Sequence, residues 1–362
     1  MTSSAPVRQR SSLKLDERPA RESRPSRAQA SATPKLAIGL VVSFVVLAGV
    51  ALLSIRLGSV PIDTSTVFDA FFDFSGTDQH IIVRSLRVPR TLIGIGVGAA
   101  LATAGVLTQA VTRNPLGAPD ILGINAGAAF AVVTAIHLMG FVDPSAYVWF
   151  AFLGAAGATV VVYVLATAGS GGPTPVKLAL SGAVLTALLA SWTTAILVLD
   201  QRTLDEARFW LAGSLSGREL GTLAIVGPFL VIGIALALIL GRQLNAIALG
   251  EEVAKALGQR TVLIRVIATV AVVLLSGAAV AAAGPIAFVA LATPHMVRMF
   301  VGSDYRWILP YSLVLGPVLL LLADVLGRVA MRPIELPVGV VTALLGAPVL
   351  IYLVRRGKGV AT

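Results

Sequence analysis

Long uncharged stretches of mostly apolar residues recur along the chain, separated by short polar or charged segments. Most of them hold about 20 residues, the length that an α-helix needs to cross a hydrocarbon core about 30 Å thick. None shows the alternation of polar and apolar residues that is typical of a membrane β-barrel. The ten candidate spans are Leu36–Ile55, Thr91–Val111, Ile121–Gly140, Ala146–Ala168, Leu178–Leu199, Leu223–Leu240, Val266–Ala283, Gly284–Val297, Ile308–Ala323 and Leu336–Val354.

This pattern predicts an all-α, polytopic integral membrane protein with about ten transmembrane helices, because a backbone in lipid must satisfy its hydrogen bonds internally. Two of the ten spans are weak: Gly284–Val297 is short and contains two prolines, and Ile308–Ala323 runs directly into Asp324. In the second span, Gly94 and Gly98 belong to a row of small residues at intervals of about four, which predicts close helix packing.

The composition agrees with a membrane protein and excludes several other classes. Only 13% of the 362 residues are charged, against about a quarter in soluble proteins, and the mean hydropathy is +0.89. The formal net charge of +10 sits in tails and loops, which indicates basic flanks of spans rather than a nucleic-acid partner. The absence of cysteine excludes disulfides, and three scattered histidines predict no metal site.

Three segments follow from the distribution of charge. Residues 1–35, rich in Ser, Pro, Ala and Arg, are predicted to be a disordered basic cytoplasmic arm, with lipid binding as the alternative. Residues 36–356 form the transmembrane domain, and residues 357–362 form a cytoplasmic tail. Because both ends are basic and the number of spans is even, both termini are predicted to be cytoplasmic.

Two arginines flank the start of the second span, in Arg87-Val88-Pro89-Arg90. Proline disfavours helix at Val88, so it predicts a defined helix start with two guanidiniums facing outward and suited to bind carboxylates. Simple anchoring of a helix end is the alternative. Arg328 lies four residues after Asp324 and could pair with it along one helix.

A broken polar turn follows the same span, in Arg113-Asn114-Pro115-Leu116-Gly117 and on to Gly123. Its prolines and glycines interrupt helix, and Asn114 can satisfy freed backbone groups. One turn earlier, Gln109 is predicted to bond between helices, with a place in a pathway as the alternative.

Two further segments complete the candidate set. Ile247–Leu257 is predicted to be one short amphipathic helix that Gly258 stops, lying either on lipid headgroups or against a partner. Pro294, His295 and Arg298 lie near the end of the short eighth span and are assigned a structural role.

Together these motifs resemble the permease family of ABC importers that take up iron–siderophores, haem and cobalamin (FecCD/BtuC-type, type II importers). The likeness covers about residues 36–356. It implies that Arg87, Arg90 and Arg328 dock a substrate-binding protein. It further implies that the ATPase-coupling helix contains Gly250, Glu251, Ala254, Leu257 and Gly258, and that Gln109, Asn114, Pro115 and Leu116 belong to the pathway or gate.

The resemblance implies a multi-pass cell-membrane permease subunit of an ATP-driven importer for ferric siderophores or a related iron chelate, without cofactor or metal. The chain is not predicted to be an enzyme, since it lacks the phosphate-binding Gly-x-x-x-x-Gly-Lys-Ser/Thr pattern. The implied partners are a dimeric ABC ATPase, an extracytoplasmic binding protein and a second permease, identical or homologous. The alternatives are a cobalamin or haem permease and a gradient-driven secondary transporter, against which the lack of a chain of intramembrane acids counts.

Overall fold

The computed structural model describes residues 27–140, 144–168 and 174–357, and all secondary structure within these ranges is helical. The α-helices are α1 (Arg27–Arg56), α2 (Thr64–Phe72), α3 (Asp78–Ile82), α4 (Val88–Thr112), α5 (Ile124–Met139), α6 (Pro144–Thr167), α7 (Pro175–Leu199), α8 (Gln201–Leu211), α9 (Leu220–Ile239), α10 (Gly241–Ala248), α11 (Glu251–Ala256), α12 (Thr261–Ala283), α13 (Val289–Val301), α14 (Tyr305–Ala330) and α15 (Val338–Gly357).

Ten of these helices correspond one to one with the ten predicted spans, so the all-α, ten-helix prediction is confirmed. By length and composition, seven segments could cross a membrane, and three apolar helices are shorter. The seven are Pro34–Arg56, Asp78–Thr112, Ala146–Thr167, Val176–Leu199, Leu220–Ile239, Thr261–Ala283 and Tyr305–Ala330, and the shorter ones are Ile124–Met139, Val289–Val301 and Val338–Pro348.

The structure corrects two boundaries. Helix α1 begins at Arg27, ahead of the predicted start of the first span at Leu36, and residues 1–26 and 358–362 of the predicted arm and tail lie outside the described residues. The weak ninth span is a full helix of 26 residues, α14, which continues through Asp324. That carboxylate is tolerated because arginines pair with it inside the protein.

Helix α4 is the central helix of the bundle and packs against α12, α13 and α14. Its predicted row of small residues makes these contacts possible. A Cβ atom at Gly98 would lie 2.6 Å from Cα of Pro317 in α14, and one at Gly105 would overlap the carbonyl group of Ala290 in α13. Neighbouring backbones therefore touch at these glycines, as expected where small residues mediate helix packing in lipid.

The start of α4 differs from the prediction. Pro89 does not disrupt helix at Val88, which has helical angles (φ −65°, ψ −50°). A π-helical turn, Val83–Arg87, joins α3 directly to α4 and makes one continuous helical segment, Asp78–Thr112. The wider π turn accommodates the proline, which has no N–H to donate.

Helix α4 connects the two ends of the bundle at which the candidate site residues lie. With 25 residues, α4 is about 37 Å long, enough to cross a hydrocarbon core. Its first turn lies at what we call the Arg90 end, together with α8 and the beginning of α15. Its last turn lies at the α11 end, together with α10, α11 and the beginning of α14.

Candidate functional site

Arg90, in the first turn of α4, is held by two carboxylates from distant parts of the chain. Its Nη2 donates to Oδ1 of Asp324 at 2.8 Å, and its Nη1 donates to Oε2 of Glu335 at 2.7 Å. Asp324 is fully buried, whereas 29% of the Glu335 side chain is exposed. Because a buried charge is costly unless it is paired, the ion pairs with Arg90 and Arg328 allow Asp324 to lie inside the bundle.

Two further arginines satisfy the carbonyl groups at the end of α1. Nη1 of Arg87 donates to the carbonyl oxygens of Ile55 and Arg56 at 2.8 and 2.7 Å. Nη1 of Arg328 donates to that of Ser54 at 2.9 Å. The last carbonyl groups of a helix have no partner within the helix, so both arginines cap α1 from outside.

The predicted outward orientation of Arg87 and Arg90 is therefore wrong. Arg87 is only 7% exposed, and Arg90 has a side-chain exposure of 11%. Arg328 is 2% exposed, and the pairing with Asp324 considered from sequence is present at 3.0 Å. Nothing local to Arg87-Val88-Pro89-Arg90 indicates this burial, because the acceptors lie in α1 or the loop after it, in α14 and near α15.

The three arginines nevertheless line one recess, which we call the arginine recess. It has a volume of about 220 Å³ and is bounded also by Gly58, Ser59, Val60, Ile82, Leu86, Ser216, Gly217 and Glu335. Glu335 is the one acidic residue among these lining residues. Three guanidiniums lie against two carboxylates, the buried Asp324 and the partly exposed Glu335, so one positive charge is left over and the recess is suited to bind a further carboxylate.

Gly213, Gly284 and Gly339 bring together segments that are far apart in the sequence. The amide of Gly339 donates to the carbonyl of Gly213 at 3.0 Å, and the amide of Ser214 donates to the carbonyl of Ala283 at 2.8 Å. Gly284 follows Ala283 with φ +75°, a conformation that favours glycine. The end of α12, the start of α15 and the segment after α8 thus form one rigid junction.

At the α11 end, the predicted single helix Ile247–Leu257 is split in two. Helix α10 ends at Ala248, and α11 starts at Glu251 after Gly250, which has φ +117°. Such an angle breaks a helix and is accessible to glycine at little cost. Gly258, with φ +77°, follows α11 and closes it as predicted.

Glu251 binds α11 to the long helix α12. Its carboxylate accepts from Nη2 of Arg265 at 2.7 Å and pairs with Nζ of Lys255 at 3.1 Å. Hydrogen bonds from Lys255 and from Arg265 lower the pKa of Glu251. The bridge is therefore present at neutral pH and is lost only as the pH falls through that lowered pKa.

The structure also corrects the predicted contact face of this segment. Ala254 is completely buried against the rest of the chain, so it cannot contact a partner. The apolar side chains that α11 and its flanks expose are Leu249 (66%), Val253 (46%) and Leu257 (60%). Of the predicted contact residues, Leu257 is available, and Glu251 is engaged within the chain.

Near the end of α4, Gln109 makes the interhelical hydrogen bonds that were predicted for it. Its Oε1 accepts from Nη1 of Arg298, and its Nε2 lies 3.4 Å from the carbonyl oxygen of Leu291, both in α13. In the following turn, Oδ1 of Asn114 accepts from the amide of Leu116 at 2.9 Å, as expected for a residue that satisfies freed backbone groups.

The described chain is a bundle of long apolar helices, as in membrane proteins, with an arginine-lined recess at one end and an exposed apolar segment at the other. Residues 45–356 match the model of the FecCD transport family, and the chain belongs to that family. Relatives include the ferric enterobactin transport system permease protein FepD of Escherichia coli (46% identical, covering 84% of this chain and 91% of the relative).

A second relative and a solved structure support the same family membership. The Fe(3+)-citrate import system permease protein YfmD of Bacillus subtilis is 44% identical over 84% of this chain and 91% of its own length. An inward-facing structure of a metal-chelate type ABC transporter superimposes with a TM-score of 0.76 at 29% identity, covering 89% of this chain and 99% of the other.

Proposed function

We propose that this chain is the membrane-spanning permease subunit of an ATP-driven importer of ferric chelates, siderophores above all. The observation that supports this most is identity of 44–46% over nine-tenths of the length of permeases named for ferric enterobactin and ferric citrate. A second permease, identical or homologous, completes the pathway, and a separate dimeric ATPase supplies the energy. Both termini lie in the cytoplasm, at the α11 end.

The substrate class is tested by complementation. A strain that lacks its own permease but keeps the ATPase and the binding protein receives this chain, and uptake of labelled ferric enterobactin, ferric hydroxamate, ferric citrate, haem and cobalamin is measured. Uptake of at least one ferric chelate, with no uptake of haem or cobalamin, is expected. Uptake of cobalamin or haem alone would overturn the iron assignment, and uptake that persists without the ATPase would favour a gradient-driven carrier.

For the Arg90 end we propose docking of the substrate-binding protein in the arginine recess. Direct approach to Arg87 and Arg328 is limited by their burial, so the partner's carboxylate has to exchange with one already present. Glu335 is suited to that exchange, because it is partly exposed and holds only Nη1 of Arg90, while Asp324 keeps the other side of the guanidinium. Glu335 thus takes the place of the partner's carboxylate in the resting chain.

Replacing Glu335 is expected to tighten docking. In Glu335→Gln the competing charge is gone and Arg90 stays neutralised by Asp324, so the binding protein should bind roughly three- to tenfold more tightly at low salt. Binding is measured with the purified permease complex. Glu219→Gln, an exposed residue at the same end, is the control and should change nothing. Unchanged or weaker binding in Glu335→Gln would contradict the exchange.

At the α11 end we propose docking of the ATPase against Leu249, Val253 and Leu257. These apolar side chains are exposed outside the helical spans, and the Glu251–Arg265 bridge passes their movement to α12. Helix α12 ends at the glycine junction beside the arginine recess, so one rigid helix joins the two docking ends. Asn114, Pro115 and Leu116 lie in the turn after α4 at the same end, where they act as part of the cytoplasmic gate.

A further inference from the structure

A second charged recess lies at the α11 end, among the ends of α4, α10 and α13 and the beginning of α14. We call it the basic recess. Its volume is about 530 Å³, and its lining includes Gln109, Arg113, His295, Arg298 and Tyr305. It is separated from the arginine recess by the length of α4.

The lining of the basic recess contains two arginines and a histidine but no acidic residue. The partly buried Arg298 has only neutral partners: its Nη1 donates to Gln109, and its guanidinium lies 6.0 Å from the ring centre of Tyr305. Its Nε and Nη2 have no hydrogen-bond acceptor among the described residues. A partly buried guanidinium without a carboxylate is unfavourable, and an anion would relieve that cost.

Arg113 supplies a second unneutralised charge. Its side chain is exposed and has no ion pair or hydrogen bond in the described part of the chain. Its backbone amide donates to the carbonyl of Gln109, which fixes it beside the residue that holds Arg298. The carboxylate of Asp304, adjacent to Tyr305, accepts from Nδ2 of Asn245 at 2.7 Å and from the amide of Arg306, and among the described residues it forms no ion pair with Arg113 or Arg298.

We propose that the basic recess binds a small polyanion carrying carboxylate or phosphate groups. Its volume lies within the range of roughly 300–1,000 Å³ that is usual for small-molecule sites. Nε and Nη2 of Arg298 present two parallel donors to one anionic group, and Arg113 is placed for a second group. The phenol of Tyr305 and the imidazole of His295 supply further polar contacts. The site does not depend on which chelate is imported.

Two sources offer this chemistry, a soluble anion and the headgroup of an anionic lipid, and binding measurements distinguish them. The full-length chain is purified in an uncharged detergent and titrated with citrate and with pyrophosphate, with thermal unfolding as the readout. In parallel it is placed in nanodiscs with or without phosphatidylglycerol. If citrate or pyrophosphate raises the midpoint temperature of thermal unfolding, the ligand is a soluble anion. If only phosphatidylglycerol raises that midpoint temperature, the ligand is a lipid.

The variants connect binding to the recess. Arg298→Gln and Arg113→Gln should each weaken binding about tenfold or more, since each removes charge-assisted hydrogen bonds. Arg298→Lys, which keeps the charge, should lose less. Arg260→Gln removes an exposed charge at the same end and should bind as the unaltered protein does. Because Arg113 is exposed, its variant should fold normally and keeps the test valid even if Arg298→Gln unfolds.

The proposal is overturned if no anion raises the midpoint in either setting. It is also overturned if the midpoint rises equally in Arg113→Gln and the unaltered protein, since the anion then binds elsewhere. A rise that Arg260→Gln abolishes to the same extent as Arg113→Gln would indicate general charge screening and would equally reject the site.

Discussion

Gly105→Leu is expected to prevent the chain from accumulating as a folded membrane protein. A Cβ atom there would overlap the Ala290 carbonyl group, which is backbone and cannot turn aside as a side chain does. Overpacking of a tight core usually costs 1–3 kcal/mol, and overlap with backbone at the centre of the bundle should cost at least about 3 kcal/mol. Because α4 joins the two functional ends, separating it from α13 removes function together with stability.

The matched control is Gly157→Leu in α6, where a Cβ atom would meet nothing within 4 Å. Leucine is favoured over glycine in a helix, so this variant should be as stable as the unaltered chain or slightly more so. Both are expressed as fluorescent fusions, and the monodisperse fraction in detergent is measured by size-exclusion chromatography. Equal monodisperse yields for the two variants would show that the α4–α13 contact is not tightly packed.

Leu257→Lys is expected to abolish co-purification of the ATPase and to reduce uptake to background, although the permease still folds. Leu257 is 60% exposed, so lysine fits sterically, but a charge placed in an apolar contact leaves that charge buried without a partner. A helix resting on lipid headgroups would behave differently, since lysine extends its charge to the interface at little cost. The variant thus distinguishes a protein partner from a lipid surface.

Val262→Lys serves as the control, because Val262 is 67% exposed at the start of α12 near the same end. It should leave ATPase binding intact. Normal co-purification and uptake in Leu257→Lys would assign the segment to the lipid interface. Substitution of Ala254 does not make this distinction, because its side chain is fully buried in the chain and a larger residue would disturb folding.

The helical spans could be predicted from sequence because the signal is local: each is an uncharged run of suitable length. The prediction for α14 shows the limit of this local signal. Asp324 weakened the prediction of that span, although one of its partners, Arg328, lies four residues later in the same helix. The other partner, Arg90, lies 234 positions earlier in the chain, and no pattern within a span reveals it, so the burial of Arg90 was missed.

The candidate site residues show the same difference between local features, which the sequence reveals, and long-range contacts, which it does not. Sequence identified Gln109, Arg298 and the glycines around α11, since each belongs to a recognisable motif. It failed on orientation, because whether Arg87 faces outward depends on the carbonyl groups at the end of α1, and whether Ala254 faces outward depends on the break at Gly250. Glu335 is absent from the predicted site residues, yet its contact with Arg90 gives it a defined place in the site.

ATP-dependent uptake in a purified system tests the central claim most directly. The chain is reconstituted in proteoliposomes with its second permease, the ATPase and the binding protein, and accumulation of a labelled ferric siderophore is followed with and without ATP. We expect accumulation that requires ATP and ceases when the ATPase carries an inactivating substitution at its catalytic carboxylate. Accumulation driven by an ion gradient without ATP, or none with any ferric chelate while each component binds its partner, would contradict the account.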